Sequence, residues 1–301
     1  MTTPSLIVEQ HLHPTDEQVT CLNCDHAYAG QYCNKCGQQA ETHRVDWRYL
    51  GHEITESLWG VDRGILFTLR ELLIRPGYSI REFLAGRRVN HYRPLALLLM
   101  LAAIYVFVSQ GLHVDFLKTS QSMYDNARVK ADSPAHLKQK EILTSYFQFL
   151  DENQQFSDLA MVPFVAFWCW LLFRRIGYNY PEQLVAQTFI ANFNLLFSLV
   201  MLLAFWALGD STNVISSIMG ASLLIQLGYI GFAYVQLFKG KLKPLSIALR
   251  SVSAYLLGYA SFMLFTGLVV FTYTIVLMIS SEPTKALPKK AVPATSQHAH
   301  S

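Results

Sequence analysis

The stretch RRVNHYRPLALLLMLAAIYVFV, residues 87–108, decides how this chain is read. Arg87, Arg88, His91 and Arg93 form a cationic collar, and from Leu95 to Val108 no charged residue follows. Pro94 stands between the two, and proline suits the first turn of a helix, where its missing N–H would have had no acceptor. A helix this apolar needs hydrocarbon around it, and about 20 such residues cross a bilayer. The chain therefore changes solvent at Pro94.

Toward the C-terminus four more apolar runs follow. The spacing predicts an all-α integral membrane protein with about five transmembrane helices in a bundle at 94–280. The expected spans are Pro94–Leu112, Ser157–Phe173, Thr188–Leu208, Val214–Phe238 and Ala254–Ser280. Across all 301 residues only 15% are charged, against about 25% in ordinary soluble domains. An outer loop at 113–156 separates the first two spans and carries a predicted helix over Ser133–Leu150. The Gly209–Asn213 connection is so short that the third and fourth spans must be neighbours. The tail, 281–301, is rich in Pro, Lys, Ala and Ser and is expected to be disordered.

Charge placement sets an expected orientation. Basic residues flank the first span before Pro94, the second after Phe173 (Arg174, Arg175) and the fourth after Phe238 (Lys239, Lys241, Lys243, Arg250). The outer loop has five Lys or Arg, but acids outnumber them. The positive-inside rule then puts the N-terminus in the cytoplasm and the C-terminus outside. Met1–Val19 has no apolar core of a secretory leader, so the first span itself is expected to direct insertion. A net charge of +3 does not argue for nucleic acid, and no such partner is expected.

Toward the N-terminus, residues 1–20 read as a polar, disordered arm. Then come Cys21-Leu-Asn-Cys24 and Cys33-Asn-Lys-Cys36-Gly37. Two facing C-x-x-C knuckles supply four thiolates, the donor set of tetrahedral structural zinc. Cys21, Cys24, Cys33 and Cys36 are the expected metal ligands of a zinc ribbon at 21–40. The alternatives are two disulfides or an iron site; disulfides need an oxidising compartment, and this segment is expected to be cytoplasmic. Four cysteines leave no open coordination position, so the metal holds a fold rather than performing a reaction.

Between head and membrane, residues 46–93 read as amphipathic or interfacial helices. Asp46 can cap a helix with apolar positions at Trp47, Leu50, Ile54 and Leu58. Ile65–Ile74 is the next, stopped by Pro76-Gly77, and Ser79-Ile-Arg-Glu82 has the pattern of a capping box that starts a third, ended by Gly86. Seven arginines, Arg63, Arg70, Arg75, Arg81, Arg87, Arg88 and Arg93, lie along this segment. One reading is snorkelling and insertion charge. The other is a site for phosphate or an anionic lipid headgroup, which planar guanidinium groups suit.

The two C-x-x-C pairs, the WRYL at 47–50 and the stretch GVDRGILFTLRELLIRPGYSIREFLAGRRVNHYRP at 60–94 together resemble a bacterial family known only as a domain of unknown function, family 3667. The resemblance covers the N-terminal third. It implies an integral membrane protein of the bacterial cytoplasmic (inner) membrane with a zinc-ribbon head. It brings no assigned activity and so no catalytic residues.

No Asp, Glu, Lys, Arg or His falls in the middle of an expected span, which counts against ion coupling. Asn192, Asn194, Gln226 and Tyr229 are a candidate intramembrane polar cluster. Their ordinary role would be interhelical hydrogen bonding, and a ligand pocket between spans is the functional alternative. Three functions stay open. The favoured one is a membrane scaffold or assembly protein whose zinc head and arginine-rich interface engage a cytoplasmic partner or anionic lipid. The second is a transporter or channel for an uncharged or lipid-like substrate. The third is an enzyme acting on lipid headgroups, with His52, His91 or a carboxylate as base. The motifs favour a non-enzyme.

Overall fold

The computed structural model describes residues 18–40, 42, 44–56, 64–112, 154–208 and 212–280. The expected disordered arm before residue 18, Arg63, the outer-loop helix and the tail lie outside the described residues.

Two short strands, β1 (Val19–Thr20) and β2 (Ala27–Tyr28), pair antiparallel with Val19 opposite Tyr28. Among the described residues eight α-helices follow: α1 (Trp47–Glu56), α2 (Gly64–Ile74), α3 (Pro76–Leu84), α4 (Pro94–Leu112), α5 (Gln154–Phe173), α6 (Tyr180–Leu208), α7 (Thr212–Leu237) and α8 (Pro244–Ser280). A 3-10 turn, Arg174–Ile176, closes α5. Five of the helices, α4 to α8, are long and apolar enough to cross a membrane. The chain is thus an all-α membrane protein with a small cysteine-rich head. It divides into two compact units, one ending at Phe262 and one starting at Met263. In the second, the last turns of α8 expose Leu264, Phe265, Leu268 and Phe271, as a helix in lipid does.

Local chemistry explains most boundaries. Asp46 caps α1, its Oδ1 accepting the Tyr49 N–H at 2.8 Å. The helix α4 occupies its expected span from Pro94 to Leu112. The capping box expected at Ser79–Glu82 does not form. Pro76 occupies the first turn of α3 instead, following directly on the non-helical Arg75, and Ser79 is buried inside the helix. Four spans begin earlier than hydropathy suggests: α5 at Gln154, α6 at Tyr180, α7 at Thr212 and α8 at Pro244. At about 43 Å, α6 is longer than the hydrocarbon it crosses. Its extra turns carry Glu182, Gln183 and Gln187, which are buried and partnered inside the protein.

The helices α2 and α3 fold onto the bundle. Leu72, Ile80 and Phe83 are almost completely buried, and the Phe83 ring meets Phe189 of α6 edge-on at 5.2 Å. The opposite side of α2 presents Leu66, Leu73 and Ile74 outward, as an interfacial helix would. Gly77 makes the packing possible. A Cβ there would lie 2.1 Å from the Ala233 carbonyl oxygen and 2.4 Å from the Leu237 nitrogen of α7. Its N–H donates to Gln236 Oε1 at 3.1 Å. Deeper in the bundle, a Cβ at Gly258 of α8 would come within 2.7 Å of the Val165 Cα of α5, so the Ala254-x-x-x-Gly258 pair serves close helix approach.

Candidate functional site

The head is built from two knuckles of the same design. In the first, Cys21 N–H donates to the His26 carbonyl at 2.9 Å, and Asp25 N–H returns to the Cys21 carbonyl at 2.9 Å. In the second, Cys33 N–H donates to the Gln38 carbonyl and Gly37 N–H to the Cys33 carbonyl, both at 2.8 Å. Each knuckle needs a left-handed residue four places after its first cysteine. Gly37 (φ 78°) fills that place in one, and Asp25 (φ 56°), of a residue type that tolerates it, fills it in the other. The bend aims both sulfurs of each pair at one centre.

The four cysteines are unbridged, and their sulfurs all lie within 4.8 Å of one another. Cys21 Sγ is 3.5 Å from Cys36 Sγ, and Cys24 Sγ is 3.6 Å from Cys33 Sγ. Thiolates about 2.3 Å from a central zinc would form a tetrahedron with edges of about 3.8 Å, so the donor set fits a tetrahedral metal. As thiols the four are unequal. Burial works against ionising Cys33, but the N–H groups of Cys36 and Lys35 and the neighbouring thiols bring it down to about 7. At Cys24 the His26 N–H favours the thiolate, but burial and hydrogen bonds with the other three sulfurs push it up to about 12. A divalent metal removes this disparity by displacing all the protons.

Two contacts fix the head to the bundle. The Gln38 amide, buried, donates to Thr42 Oγ1 at 2.8 Å and to the Gly86 carbonyl at 3.1 Å. Gly86 ends α3 with φ 94°, and a Cβ on it would meet Leu22 Cδ1 at 3.1 Å and Thr42 Cγ2 at 3.2 Å. Below the head, Arg44 forks onto Glu182, Nε to Oε1 at 2.5 Å and Nη2 to Oε2 at 2.7 Å, and also donates to the Gly177 carbonyl at 2.7 Å. The hydrogen bonds to Glu182 hold the Arg44 guanidinium above its ordinary value. Glu182 itself belongs to a capping box at the start of α6: Asn179 N–H donates to Glu182 Oε2, and Glu182 N–H to Asn179 Oδ1, both at 2.7 Å. Asn179 Nδ2 reaches the buried Val45 carbonyl at 3.0 Å. Sequence reading missed Arg44, Asn179 and Glu182, although Asn-Tyr-Pro-Glu before an apolar run is a helix-start pattern.

The predicted arginines do not converge on one pocket. Arg75 pairs with Glu71 and lies 4.0 Å from Glu82. Arg81 donates to the Leu237 carbonyl at 2.5 and 3.1 Å and to the Gln236 carbonyl at 2.8 Å. Those carbonyls lie in the last turn of α7, at its negative end, where the Gln236 carbonyl also accepts the Lys239 N–H at 3.4 Å, and Arg81 caps the fourth span there. The Arg88 guanidinium lies over the Tyr49 ring, 4.4 Å from its centroid, and donates to the Phe83 carbonyl at 3.3 Å. Arg70, Arg87 and Arg93 are exposed. A different trio lines an open cavity of about 380 Å³: Arg175, Lys241 and Arg250, over a floor that includes Leu172, Ile176 and Leu242. No acid lines it. Lys241 Nζ reaches the Ile176 carbonyl at 3.4 Å and sits over the Tyr178 ring at 4.9 Å. In the sequence these three served only as topology signals.

The intramembrane cluster also divides. Asn192 donates to the Pro94 carbonyl of α4 at 2.8 Å and to the Thr188 carbonyl at 2.9 Å. Tyr229 donates to the Leu72 carbonyl at 2.9 Å. That carbonyl lacks its helical partner because the residue four places on is Pro76. These two are structural. Asn194 and Gln226 instead line a cavity of about 70 Å³ between the spans. Beside it Gln187 donates to Tyr234 Oη at 2.6 Å and to Cys169 Sγ at 3.2 Å, and Tyr234 donates to Gln183 Oε1 at 2.9 Å. His91 is buried among the edges of Phe67, Phe83 and Phe189 and shares a hydrogen bond of 3.1 Å with the Arg87 carbonyl. Burial lowers its basicity, and it lines neither cavity.

Residues 62–106 match the model of a protein family of unknown function, DUF3667. The matched stretch holds α2, α3, the Arg88–His91 turn and most of α4, the part that carries Gly77, Arg81 and Pro94. No curated protein and no solved structure matches the chain.

Proposed function

We propose that the protein is a membrane scaffold that presents a zinc-loaded ribbon, rigidly seated on a five-span bundle, to a cytoplasmic partner at a surface of anionic lipid. The observation that carries this reading is the double attachment of the head, Gln38 to Gly86 and Arg44 to Glu182. A tethered head free to tumble would need neither. Zinc is the metal that an all-thiolate, closed, tetrahedral donor set suits best.

The contacts of Arg44 with Gly177, Arg81 with Leu237 and Lys241 with Ile176 gather the head and the basic flanks at one end of the bundle. That end is cytoplasmic in this reading, as positive flanks and reduced thiols both favour, and the membrane is the bacterial inner membrane. The Arg175–Lys241–Arg250 cavity takes the lipid headgroup, since basic pockets between spans suit anionic phosphodiesters. Transport of an uncharged or lipid-like solute finds less support. The cavity in the bundle is about 70 Å³, against about 300 Å³ or more for ordinary small-molecule sites. Headgroup chemistry finds less still, because His91 faces aromatic rings.

Metal analysis of the purified protein is expected to give one zinc per chain and none in the Cys21→Ser, Cys24→Ser variant. A photo-crosslinking residue at the exposed Tyr32 of the head is expected to give one discrete protein adduct in cells, lost in that variant. Adducts that are the same with and without the metal would contradict the scaffold.

A further inference from the structure

The cavity in the bundle holds an acid that neither the head nor the lipid site uses. Asp158 lies in the second turn of α5, one residue inside the second candidate span. It lines the cavity together with Gln187, Asn194, Ser198, Gln226 and Tyr255. Hydropathy places Asp158 at the margin of a span, where it would meet headgroups or water. The bundle instead turns it toward four other helices.

Three observations define what this cavity can hold. Among the described residues no Lys, Arg or His lines it, and no ion pair reaches Asp158. The Asn194 Oδ1 atom is buried without a hydrogen-bond partner. Gln187 uses its Nε2 hydrogens on Tyr234 and Cys169, which leaves its amide oxygen as the group with free lone pairs. The described lining therefore offers free oxygen acceptors and one acid with no cation beside it. Within a bilayer such a carboxylate is strongly disfavoured unless a positive charge joins it.

The volume narrows the choice. About 70 Å³ exceeds the roughly 10–15 Å³ that one water needs, but falls far below what an organic ligand fills. Apart from the Met161 thioether, the polar lining offers oxygen and amide groups, with no thiol or imidazole among the described residues, which argues against a transition metal. One carboxylate matches a single positive charge, whereas calcium sites collect several. We propose that the Asp158 cavity is a binding site for an alkali-metal cation, held by the Asp158 carboxylate and the amide oxygens of Asn194 and Gln187 with a few waters. The site is independent of the scaffold reading and of the lipid pocket.

The test uses the full-length, zinc-loaded protein in nanodiscs of zwitterionic lipid. Its melting temperature is measured at pH 8 in NaCl, in KCl and in choline chloride at equal ionic strength. Saturable stabilisation by sodium or potassium but not by choline is expected, with weaker apparent affinity at pH 6, where protons compete. Asp158→Asn is expected to abolish the salt-specific rise and Ser198→Ala to weaken it. Equal melting in all three salts would overturn the proposal and leave Asp158 as a protonated acid. A full sodium or potassium response in Asp158→Asn would overturn it equally. If that variant does not fold, the wild-type comparison of the three salts decides alone.

Discussion

Two groups of cations sit at the same end of this molecule and do opposite things. Arg75, Arg81 and Arg88 have their guanidinium groups occupied by the protein: a carboxylate, the carbonyls of a helix end, and an aromatic ring with a carbonyl. Arg175 and Arg250 border an open cavity with no acid among its described lining residues, and Lys241 beside them also reaches the Ile176 carbonyl and the Tyr178 ring. In the sequence the first group belonged to the candidate lipid site, and the second served only as topology signals. The difference teaches that charges alike in type near a membrane are put to different uses by tertiary structure. The first group builds the bundle, and Arg175 and Arg250 of the second face the cavity where the proposed lipid would bind.

The comparison can be broken by mutation. Arg81→Gln is expected to cost about 2–4 kcal/mol, because it removes several charged hydrogen bonds from the carbonyls that end α7; thermal unfolding in detergent measures it. A cost no larger than that of Arg175→Gln would erase the distinction between the groups. Arg44→Ala is expected to cost about 1–2 kcal/mol, less than the about 3–5 of a fully buried pair, since Arg44 is largely exposed although Glu182 is not. At the small end, Arg175→Gln, Lys241→Gln, Arg250→Gln is expected to change stability by about 0.5 kcal/mol or less. In native mass spectra it should lose the preference for anionic over zwitterionic lipid. Retention of that preference would move the lipid site back toward the exposed Arg70, Arg87 and Arg93.

His91 sharpens the same contrast through pH. Its folded-state value is lowered by burial, so the folded protein binds its proton less readily than the unfolded chain does. Stability is then unaffected above the ordinary imidazole value of about 6.5 and falls as pH drops through it, until the lower folded-state value is reached. Melting curves at pH 7.5 and 5.0 are expected to show a larger drop in the wild type than in His91→Gln. Equal drops would place the acid-sensitive group elsewhere.

Much of the architecture was legible in the chain. The start of the first span was read to the residue because Pro94 punctuates it. The cysteine spacing carried the four-thiol cluster, and Gly37 its turn. What was hidden depends on partners distant in sequence. Hydropathy treats Glu182, Gln183 and Gln187 as costs, although each is satisfied within the fold, so it shortened α6. The Ser79–Glu82 pattern imitates a cap, but Pro76 starts that helix first. Nothing local in Arg81 says that it meets carbonyls 155 and 156 residues away. Asp158 looked like the edge of a span because only the assembled bundle turns it toward Asn194.

The central claim is that the metal-holding head is a fixed part of the bundle. Hydrogen-exchange mass spectrometry on the intact protein in nanodiscs, with zinc bound and after chelation, tests it most directly. Seated as described, the head should on losing zinc raise exchange not only over residues 18–40 but also at the Gly86 turn and in the first turn of α6 around Glu182. A rise confined to residues 18–40 would contradict it.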